Sequence, residues 1–405
     1  MLGVLAGKTI TLGITGGIAA YKAAELASSL VKSGADVHVA MTSSACEFIT
    51  PLTFETLTGN PVHKGLFQAG PEGGVLHIDL AQRADLLVIA PATANIIGKT
   101  ANGIADDLVS TLAVAASCPV LFCPAMNVVM YENPLVQRNI ATLMENGYHF
   151  VEPAEGRLAC GAVGKGRLAE LDVILHSITK QLTPQDLAGL MVLVTAGPTR
   201  EPLDPVRYLT NRSSGKMGYA LARAAAQRGA RVVLVSGPTG LTPPPEVQLV
   251  PVETAQEMYE QVLQYGSGAA VVIKAAAVAD YRPLQLSDQK IKKKDTQLTV
   301  QLTQNPDILA ELGRRKAQGQ ILVGFAAETC NLQKNALDKL HRKNLDLLVA
   351  NDVTLPGAGF DGDTNQVRIF GSQGQEESLP LMNKHKVAHG ILDRVSRLYH
   401  SRVGG

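Results

Sequence analysis

Charge of one sign is not in excess in this 405-residue sequence, which has 37 lysines and arginines, 36 aspartates and glutamates, and a net charge of +1. A near-neutral chain has no general attraction to nucleic acid or to an anionic membrane, so neither is expected as a partner. Paired cysteines are also lacking. No CxxC pair and no cysteine–histidine metal spacing occurs among the five cysteines, Cys46, Cys118, Cys123, Cys160 and Cys330. This pattern predicts reduced thiols in a cytoplasm and leaves room for one reactive thiol.

Long apolar runs are lacking as well. The longest apolar stretch, residues 109–123, is interrupted by serine, threonine and proline and falls short of the roughly 18 residues that a membrane-spanning helix needs. Residues 1–7 have neither the basic segment nor the cleavage pattern of a secretory signal. The length is sufficient for two or three domains with cores of their own. These observations predict a soluble cytoplasmic protein.

Two segments begin as nucleotide-binding α/β units begin, with a short apolar strand, a glycine-containing turn and an amphipathic helix. The first has a strand over residues 9–14, the turn Thr15-Gly16-Gly17 and a helix over residues 18–33. The second has a strand over residues 190–195 and, after a polar loop, a helix over residues 217–228. The sequence therefore predicts two α/β domains in tandem.

A polar segment with one proline separates the two openings and indicates a domain boundary near Pro184. The predicted domains are residues 1–184 and 185–405. Within the first, a continuous helix is predicted over residues 98–116, between apolar strands at residues 86–90 and 120–123.

Neither opening carries the signature of a nicotinamide-binding unit, which needs GxGxxG and an acidic residue after the second strand. The first opening has Gly13-x-x-Gly16-Gly17, and its second strand ends in Thr42-Ser43-Ser44. Hydroxyl groups there suit a phosphate monoester and favour FMN over NAD, although a polar turn without a ligand explains these residues equally well. A P-loop is also lacking, because Met217 follows Ser214-Gly215-Lys216 where serine or threonine is required.

Polar side chains follow several of the predicted strands. In the first domain these are residues 91–95 and residues 124–134, which include Asn127. Ligands bind parallel sheets at the carboxyl ends of strands, so these residues are candidates for a site. An asparagine at that place also serves as a helix cap, and methionines also serve as core.

In the second domain a buried strand over residues 270–276 contains Lys274 and is followed by Asp280 and by the basic run Lys290-Ile291-Lys292-Lys293-Lys294. A carboxylate at a strand end before lysines suits a Mg²⁺–triphosphate, with Asp280 toward the metal and Lys290 toward phosphate. The alternative is that the lysines form a solvated surface, since only every second lysine of an extended run shares a side.

Three segments of the first half resemble the FMN-dependent cysteine decarboxylases of the histidine-flavoprotein group. They are Leu76-His77-Ile78-Asp79-Leu80, Pro124-Ala125-Met126-Asn127-x-x-Met130 and Ala159-Cys160-Gly161-x-x-Gly164-x-Gly166-Arg167-Leu168. The resemblance covers about residues 8–178, with Tyr131 where relatives often carry tryptophan. It implies a flavodoxin-like domain in which FMN oxidises a cysteinyl thiol so that the carboxylate can leave as CO₂.

The same resemblance implies roles for individual residues. His77 would act as the base, Asn127 would hold the substrate carboxylate, and Cys160 would donate a proton when the intermediate is reduced. The glycine-rich segment around Cys160 would fold over the site as a lid. The FMN contacts would come from Gly16, Thr42, Ser43, Thr93, Asn95, Ala125 and Met126.

Motifs throughout the second half resemble phosphopantothenate–cysteine ligase, over about residues 190–396. They include Gly197-Pro198-Thr199-x-Glu201-x-Leu203-Asp204-Pro205-Val206-Arg207, Asn211-x-Ser213-Ser214-Gly215-Lys216-Met217-Gly218 and Asn305-Pro306-Asp307-Ile308. The resemblance implies that CTP activates phosphopantothenate as an acyl-cytidylate, with release of pyrophosphate, before the amine of cysteine attacks. CTP in place of ATP is implied by the fused bacterial form alone.

The ligase resemblance also assigns residues. Asn211 would hold the acyl-cytidylate, and Lys290 would contact the nucleotide and assist the attack of cysteine. Asp280 would bind Mg²⁺. The other CTP contacts would come from Lys274, Ala275, Ala276, Asp280, Pro306, Asp307, Ile308, Leu309, Phe325, Lys339 and Lys343.

Joined in one chain, the two halves resemble the bifunctional bacterial enzymes of coenzyme A synthesis. The expected fold is two Rossmann-like three-layer domains, and the expected substrates are phosphopantothenate, cysteine and CTP. The resemblance also implies self-association, with trimeric contacts in the flavin half and dimeric contacts in the ligase half. One alternative is a tandem-Rossmann NAD(P)-dependent oxidoreductase, which the missing carboxylates oppose. Another is a non-catalytic flavin-binding protein, which His77, Asn127 and Cys160 together oppose.

Overall fold

The structure is a computed structural model that describes residues 3–67, 75–157, 161, 163–292, 297–328, 332–352, 362–372 and 374–403. Contacts within the chain divide it into two compact units, Met1–Pro184 (unit 1) and Gln185–Gly405 (unit 2). Within the described ranges, no helix is both long enough and apolar enough to cross a membrane.

Unit 1 alternates strands and helices. Its strands are β1 Thr9–Ile14, β2 Asp36–Met41, β3 Val62–His63, β4 Leu86–Ala92, β5 Val120–Pro124, β6 His149–Phe150, β7 Ala154–Arg157 and β8 Val163–Arg167. Its helices are α1 Ala20–Lys32, α2 Ser43–Cys46, α3 Pro51–Thr58, α4 Leu76–Arg83, α5 Ala94–Ala101, α6 Leu108–Ala115, α7 Val128–Glu132, α8 Pro134–Glu145 and α9 Leu171–Gln181.

The first six strands form one parallel sheet in the order β3-β2-β1-β4-β5-β6, and β7 and β8 form a separate antiparallel hairpin. With the two-residue β3 this is the Rossmann order, and without it the order is that of flavodoxin. Along β4, Leu86 and Val88 pack with α1 and α9, whereas Leu87 and Ile89 pack with α4, α5, α6 and α8. Because helices cover both faces of the sheet, the predicted three-layer α/β domain is confirmed.

The continuous helix predicted over residues 98–116 is wrong. The helix α5 ends at Ala101, and α6 begins at Leu108. Asp107 caps α6 by accepting from the Ser110 N–H at 2.9 Å, and the Ser110 hydroxyl accepts from the Asp107 N–H at 3.1 Å. This reciprocal capping box starts a new helix, and the apolar residues on both sides of it hide the break in the sequence.

Unit 2 has a larger sheet and two short hairpins. Its strands are β9 Met191–Ala196, β10 Arg200–Pro202, β11 Tyr208–Thr210, β12 Arg231–Ser236, β13 Val247–Pro251, β14 Val271–Lys274, β15 Tyr281–Pro283, β16 Leu302–Gln304, β17 Ile321–Glu328, β18 Leu347–Asp352, β19 Thr364–Gly371 and β20 Glu376–Asn383. Its helices are α10 Lys216–Gln227, α11 Ala255–Gly266, α12 Ile308–Arg315, α13 Leu332–Arg342 and α14 Lys384–Val403.

The large sheet of unit 2 has the order β13-β12-β9-β14-β17-β18-β19-β20, and its last two pairings are antiparallel. Val192 and Val194 of β9 pack with α10 and α14, while Leu193 packs with α11, α12 and α13. Unit 2 is therefore also three-layered, as predicted. The chain leaves β9 for β12 and β13 on one side and returns to β14 on the other, which opens a crevice at the carboxyl ends of β9 and β14.

Candidate functional site

A cavity of about 1010 Å³ lies at the carboxyl ends of the strands in unit 1. It adjoins the place between β1 and β4 where the strand order reverses, which is where sheets of this kind bind ligands. Its lining comes from the turns that follow β1, β2, β4 and β5, together with Gly166, Arg167 and Leu168 at the end of β8.

The turn after β1 approaches the start of α2 so closely that only glycine fits there. A Cβ atom on Gly16 would lie 2.3 Å from the Ser44 Cβ and 2.9 Å from the Ser44 carbonyl carbon. Thr42 fixes the facing turn as the cap of α2, because its hydroxyl accepts from the Ala45 N–H at 3.2 Å. The result is a cradle of small, hydroxyl-bearing residues of the kind that a phosphate monoester requires.

Thr15 joins the ends of β1 and β4 at the floor of this cavity. Its hydroxyl donates to the Pro91 carbonyl at 2.7 Å and accepts from the Thr93 N–H at 3.2 Å. Thr15 is only 2% exposed. This buried, fully engaged hydroxyl fixes the separation of the two turns that would enclose a flavin.

The chain after β5 is held to its neighbours at successive residues. The N–H groups of Ala125 and Met126 donate to the carbonyls of Ala92 and Gly166 at 3.0 and 2.9 Å. Asn127 then caps α7, because its Oδ1 accepts from the N–H two residues further on at 2.8 Å. The side chain of Asn127 therefore has a defined position at the edge of the cavity.

The seven residues predicted to bind FMN lie together in unit 1. With Asn127, the cavity lining includes Gly16, Thr42, Ser43, Thr93, Asn95, Ala125 and Met126. His77 is in the first turn of α4 and is not part of that lining, and its Nδ1 is buried without a hydrogen-bond partner among the described residues. Cys160 lies outside the described residues. The predicted lid is described only at its flanks, in the hairpin of β7 and β8.

A charged cluster in the same lining was missed by the sequence reasoning. The Lys99 Nζ lies 2.6 Å from the Asp106 carboxylate and 2.8 Å from the Asp107 carboxylate. Hydrogen bonds to Asp106 and Asp107 raise the pKa of Lys99, and the bond from Lys99 lowers the pKa of Asp106. Adjacent aspartates were a signal in the sequence, but treating them as the interior of one helix concealed it.

A second cavity, of about 800 Å³, lies at the carboxyl ends of β9 and β14 in unit 2. Asn211 contributes to its lining. So do all of the predicted CTP contacts other than Lys290, namely Lys274, Ala275, Ala276, Asp280, Pro306, Asp307, Ile308, Leu309, Phe325, Lys339 and Lys343. These residues come from the end of β14, the loop after it, α12, β17 and α13, so the fold brings together positions that are distant in sequence.

The loop after β14 is held by threonine hydroxyl groups on one side. Thr195 accepts from the Ala276 N–H at 3.1 Å, and Thr199 accepts from the Ala279 N–H at 3.0 Å. Both threonines are fully buried. Because these hydroxyls fix two backbone amides, the loop has a rigid path past the cavity.

Asparagine amides hold the same loop on the other side. The Asn211 Nδ2 donates to the carbonyls of Ala277 and Val278 at 3.3 and 3.0 Å. The Asn305 Nδ2 donates to the Ala279 carbonyl at 2.9 Å. Asn211 thus lies directly beside the loop that leads to Asp280, within the cavity lining.

Five lysines among the described residues line this cavity and make it electropositive, and Lys274, Lys339 and Lys343 are three of them. Burial, together with the charges of Lys343 and Lys339, lowers the pKa of Lys274 from 10.5 to about 8, although Asp307 and Asp280 act in the opposite direction. The Lys343 Nζ lies 2.9 Å from the Asp307 carboxylate. Burial of Asp307 raises its pKa, but the hydrogen bond from Lys343 lowers it, and the net result is a pKa below the usual value. A site of this charge suits a polyphosphate.

The start of α10 forms part of the cavity wall from main chain alone. Gly215 has a φ of +76°, and a Cβ on it would lie 2.7 Å from the Thr239 Cγ2. A Cβ on Gly218 would lie 2.5 Å from the Ala196 Cβ and 2.9 Å from the Thr195 carbonyl oxygen. Both positions require glycine. The positive end of the helix dipole at this helix start favours an anion.

Lys290 is exposed and is not among the described residues that line the second cavity. Sequence reasoning gave no role to Lys216, Asn365 and Lys384, which do line it. Lys216 pairs with Asp363 at 2.7 Å, and Lys384 is 6% exposed. The signal for Lys384 was weak, because it consists only of a lysine in the first turn of a helix, where a positive charge is unfavourable.

A preformed metal site is not found in the described part of either unit, since no three histidine, cysteine, aspartate or glutamate residues there are grouped to hold an ion. Asp280 is exposed and faces the second cavity. Asp307 is already engaged by Lys343 and by the Ala310 N–H, which donates to it at 3.0 Å. Mg²⁺ would therefore fit here with Asp280 as a protein ligand and with phosphate oxygens completing its shell.

Comparisons with known proteins match both units. The family model named DNA/pantothenate metabolism flavoprotein C-terminal domain matches residues 187–399, and the Flavoprotein model matches residues 3–183. The chain is 51% identical over 399 residues to the coenzyme A biosynthesis bifunctional protein CoaBC of Bacillus subtilis (strain 168), which covers 98% of each chain. This chain belongs to the family of coenzyme A biosynthesis bifunctional proteins.

A second relative of the coenzyme A biosynthesis bifunctional family is the protein of that name from Escherichia coli (strain K12), 46% identical over 402 residues, or 98% of this chain and 99% of that protein. Among solved structures, the C-terminal domain of a coenzyme A biosynthesis bifunctional protein is 44% identical, with a TM-score of 0.47, and covers 54% of this chain and 99% of that chain.

Proposed function

We propose that unit 2, within residues 185–405, joins cysteine to 4′-phosphopantothenate at the expense of CTP, and that unit 1, within residues 1–184, decarboxylates the product to 4′-phosphopantetheine with FMN. The observation that carries the proposal is the pair of cavities. Each unit has its own cavity at the reversal point of its own sheet. The two linings contain the residues that the two resemblances assign apart from His77, Lys290 and Cys160, the last of which lies outside the described residues. Two chemically different steps accordingly have two separate sites.

In unit 1, the cradle of Gly16, Thr42 and Ser43 would hold the FMN phosphate by close approach and by hydroxyl groups. FMN would supply reversible two-electron chemistry: it would take two electrons from the cysteinyl CH₂–SH group so that the carboxylate can leave as CO₂, and it would return them to the resulting enethiol to give the saturated thiol. Asn127 orients the substrate carboxylate by hydrogen bonding. His77 serves as the base and Cys160 as the proton donor.

In unit 2, the lysine-lined wall of the second cavity holds the triphosphate of CTP. Asp280 would hold Mg²⁺, which would supply positive charge against the triphosphate. The phosphopantothenate carboxylate attacks the α-phosphorus of CTP and displaces pyrophosphate. Asn211 donates a hydrogen bond to the carbonyl oxygen of the acyl-cytidylate, which gains charge as the amine of cysteine attacks. Lys290 contacts the nucleotide and assists that attack.

Self-association of both units is part of the proposal. Ile18 and Tyr21, at the edge of the unit 1 cavity, are 61% and 60% exposed. In unit 2, Val206 and Leu286 are 58% and 59% exposed on and beside the short hairpins. Apolar side chains left this exposed are available for contacts between copies of the chain. The trimeric contacts near the flavin and the dimeric contacts in the ligase half come from the two resemblances.

The proposal is tested by assaying the two half-reactions separately on the full chain. The purified protein is expected to be yellow, to release FMN on denaturation, and to form pyrophosphate from CTP only when phosphopantothenate is present. Addition of cysteine then gives the ligated product, and CO₂ follows. A colourless protein, or CTP consumption that does not depend on phosphopantothenate, would refute the assignment.

A further inference from the structure

The main chain of one residue in unit 2, Ile291, is held at both its N–H and its carbonyl by a turn that lies far away in the sequence. The Ile291 N–H donates to Asp204 Oδ2 at 3.1 Å. The Ile291 carbonyl accepts from Arg207 Nη2 at 2.9 Å. Four residues before Ile291, the Ser287 N–H donates to the Leu203 carbonyl at 3.3 Å. The turn formed by residues 203–207 is therefore hydrogen-bonded to the segment that carries Lys290.

The Asp204 carboxylate, which accepts from Ile291, is buried and accepts several further hydrogen bonds. Its side chain is 0% exposed, and it makes an ion pair with Arg207 through Nε at 3.0 Å. It also accepts from the N–H groups of Val206 and Arg207, both at 2.8 Å. The guanidinium of Arg207 together with these N–H groups holds the pKa of Asp204 well below its usual range, so its charge is permanent at neutral pH. A buried carboxylate that accepts this many hydrogen bonds has one defined position in the folded chain.

We propose that Asp204 is a positioning residue for the ligation step, which with Arg207 clamps the Ile291 peptide and thereby fixes the chain at Lys290. This inference rests on the proposed ligase function of unit 2. It gives a role to the Asp204–Arg207 part of the first ligase motif, whose side chains otherwise have no part in the reaction.

The segment needs a clamp because secondary structure does not hold it. The described residues between Pro283, where β15 ends, and residue 293 belong to no helix or strand. Lys290 is exposed and has four freely rotating bonds, so an unanchored backbone would leave its amine dispersed over a large volume. Holding the next residue, Ile291, at both its N–H and its carbonyl removes backbone freedom before substrates arrive, which lowers the entropic part of the barrier.

A purely structural role for Asp204 is the competing explanation, because the same carboxylate also closes the turn of residues 203–207. The two roles are separable. Ile291→Pro removes the N–H that reaches Asp204, and it also fixes φ at position 291 and restricts the backbone of Lys290. It leaves the turn, with the bonds of Asp204 to Val206 and Arg207, intact. Ile291→Ala keeps that N–H and is the matched control for loss of the side chain. Asp204→Asn keeps the size and one acceptor but removes the charge.

The experiment measures the cysteine-dependent step by single turnover in the full chain. Decarboxylation by unit 1 of the same chain serves as the internal control for the concentration of intact protein, and the thermal unfolding of unit 2 is the control for its folding. We expect Asp204→Asn and Ile291→Pro each to slow ligation by tenfold or more, while Ile291→Ala changes it by less than threefold. In hydrogen exchange, the Ile291 amide is expected to lose protection in Asp204→Asn.

A double-mutant cycle provides the decisive readout. If Asp204 acts through Lys290, adding Asp204→Asn to Lys290→Ala slows ligation by less than twofold beyond Lys290→Ala alone. Multiplicative losses, or equal rates for Ile291→Pro and Ile291→Ala, would overturn the positioning role. Failure of the unaltered chain to ligate cysteine with CTP would instead refute the function of unit 2, so the two failures are distinguishable.

Discussion

Lys274 gives the sharpest test of the electrostatics in the second cavity. Burial and the neighbouring Lys343 and Lys339 lower its pKa to about 8, so this lysine loses its charge in a range where an ordinary lysine keeps it. At pH 9 about a tenth of the Lys274 side chains would be protonated, compared with roughly 97% for a lysine of pKa 10.5. If the charged form binds the triphosphate, kcat/KM for CTP falls about tenfold for each pH unit above 8.

The assay follows pyrophosphate release with phosphopantothenate and CTP but without cysteine, because the thiol and amine of cysteine titrate in the same range. Lys274→Arg keeps its charge and is expected to give a flat profile from pH 7 to 9.5. Lys274→Met is expected to lose CTP affinity at every pH. A flat profile for the unaltered chain, or the same decline in Lys274→Arg, would contradict this reasoning.

The lowered pKa of Lys274 also affects the free energy of unfolding. Raising the pH increases this free energy, whereas it weakens CTP binding. Between pH 8 and 10.5 the unfolded chain binds a proton at Lys274 that the folded chain does not, so the free energy of unfolding rises with pH across that window. A shift of this size corresponds to at most about 3 kcal/mol of destabilisation at neutral pH. Lys274→Met is therefore expected to unfold at higher temperature than the unaltered chain at pH 7, with no gain above pH 10.5. Lys32→Met, at an exposed position of unit 1, is the control.

Three further outcomes are expected. Gly16→Ala places a Cβ 2.3 Å from the Ser44 Cβ, so the FMN content of the purified protein should fall at least tenfold. The control Gly98→Ala, whose Cβ meets nothing nearer than 3.6 Å, should keep its flavin. Equal flavin contents in the two variants would exclude the cradle as the phosphate site. Asn127→Ala should abolish CO₂ release and leave ligation unchanged, and loss of both activities would argue against separate sites. Asn211→Asp puts a carboxylate against two carbonyl oxygens, so the acyl-cytidylate should form without transfer to cysteine; normal transfer would contradict its role.

The layered architecture could be predicted from the sequence because it depends on local patterns. Apolar strands alternate with amphipathic helices in both halves, and these periodicities directly reflect burial. The break between α5 and α6 could not be predicted, since it depends on the reciprocal bonds of Asp107 and Ser110 within an apolar surrounding. The hairpins β10–β11 and β15–β16 were also missed, because strands of three residues are too short to show a period.

Site residues were predicted where they fall in ordered motifs and missed where only the fold assembles them. Lys274 stood out as a lysine in a buried strand, and the structure gives the reason, which is its place in the lysine-lined cavity wall. Lys384 lies more than a hundred residues further along the chain and reaches the same cavity only because α14 packs beside α10. No local pattern records a contact of that kind, so Lys384 could not be assigned from sequence.

The glycines at the start of α10 have a consequence for inhibition. Gly215 and Gly218 leave the second cavity bounded by main chain, and a Cβ at either position would lie within 2.7 Å of a neighbouring atom. A compound that packs against this main-chain wall would contact a surface on which side-chain substitutions are sterically blocked. Escape by point mutation at the contact itself would then damage the fold before it weakened binding. Resistance would have to arise at more distant positions or through increased expression.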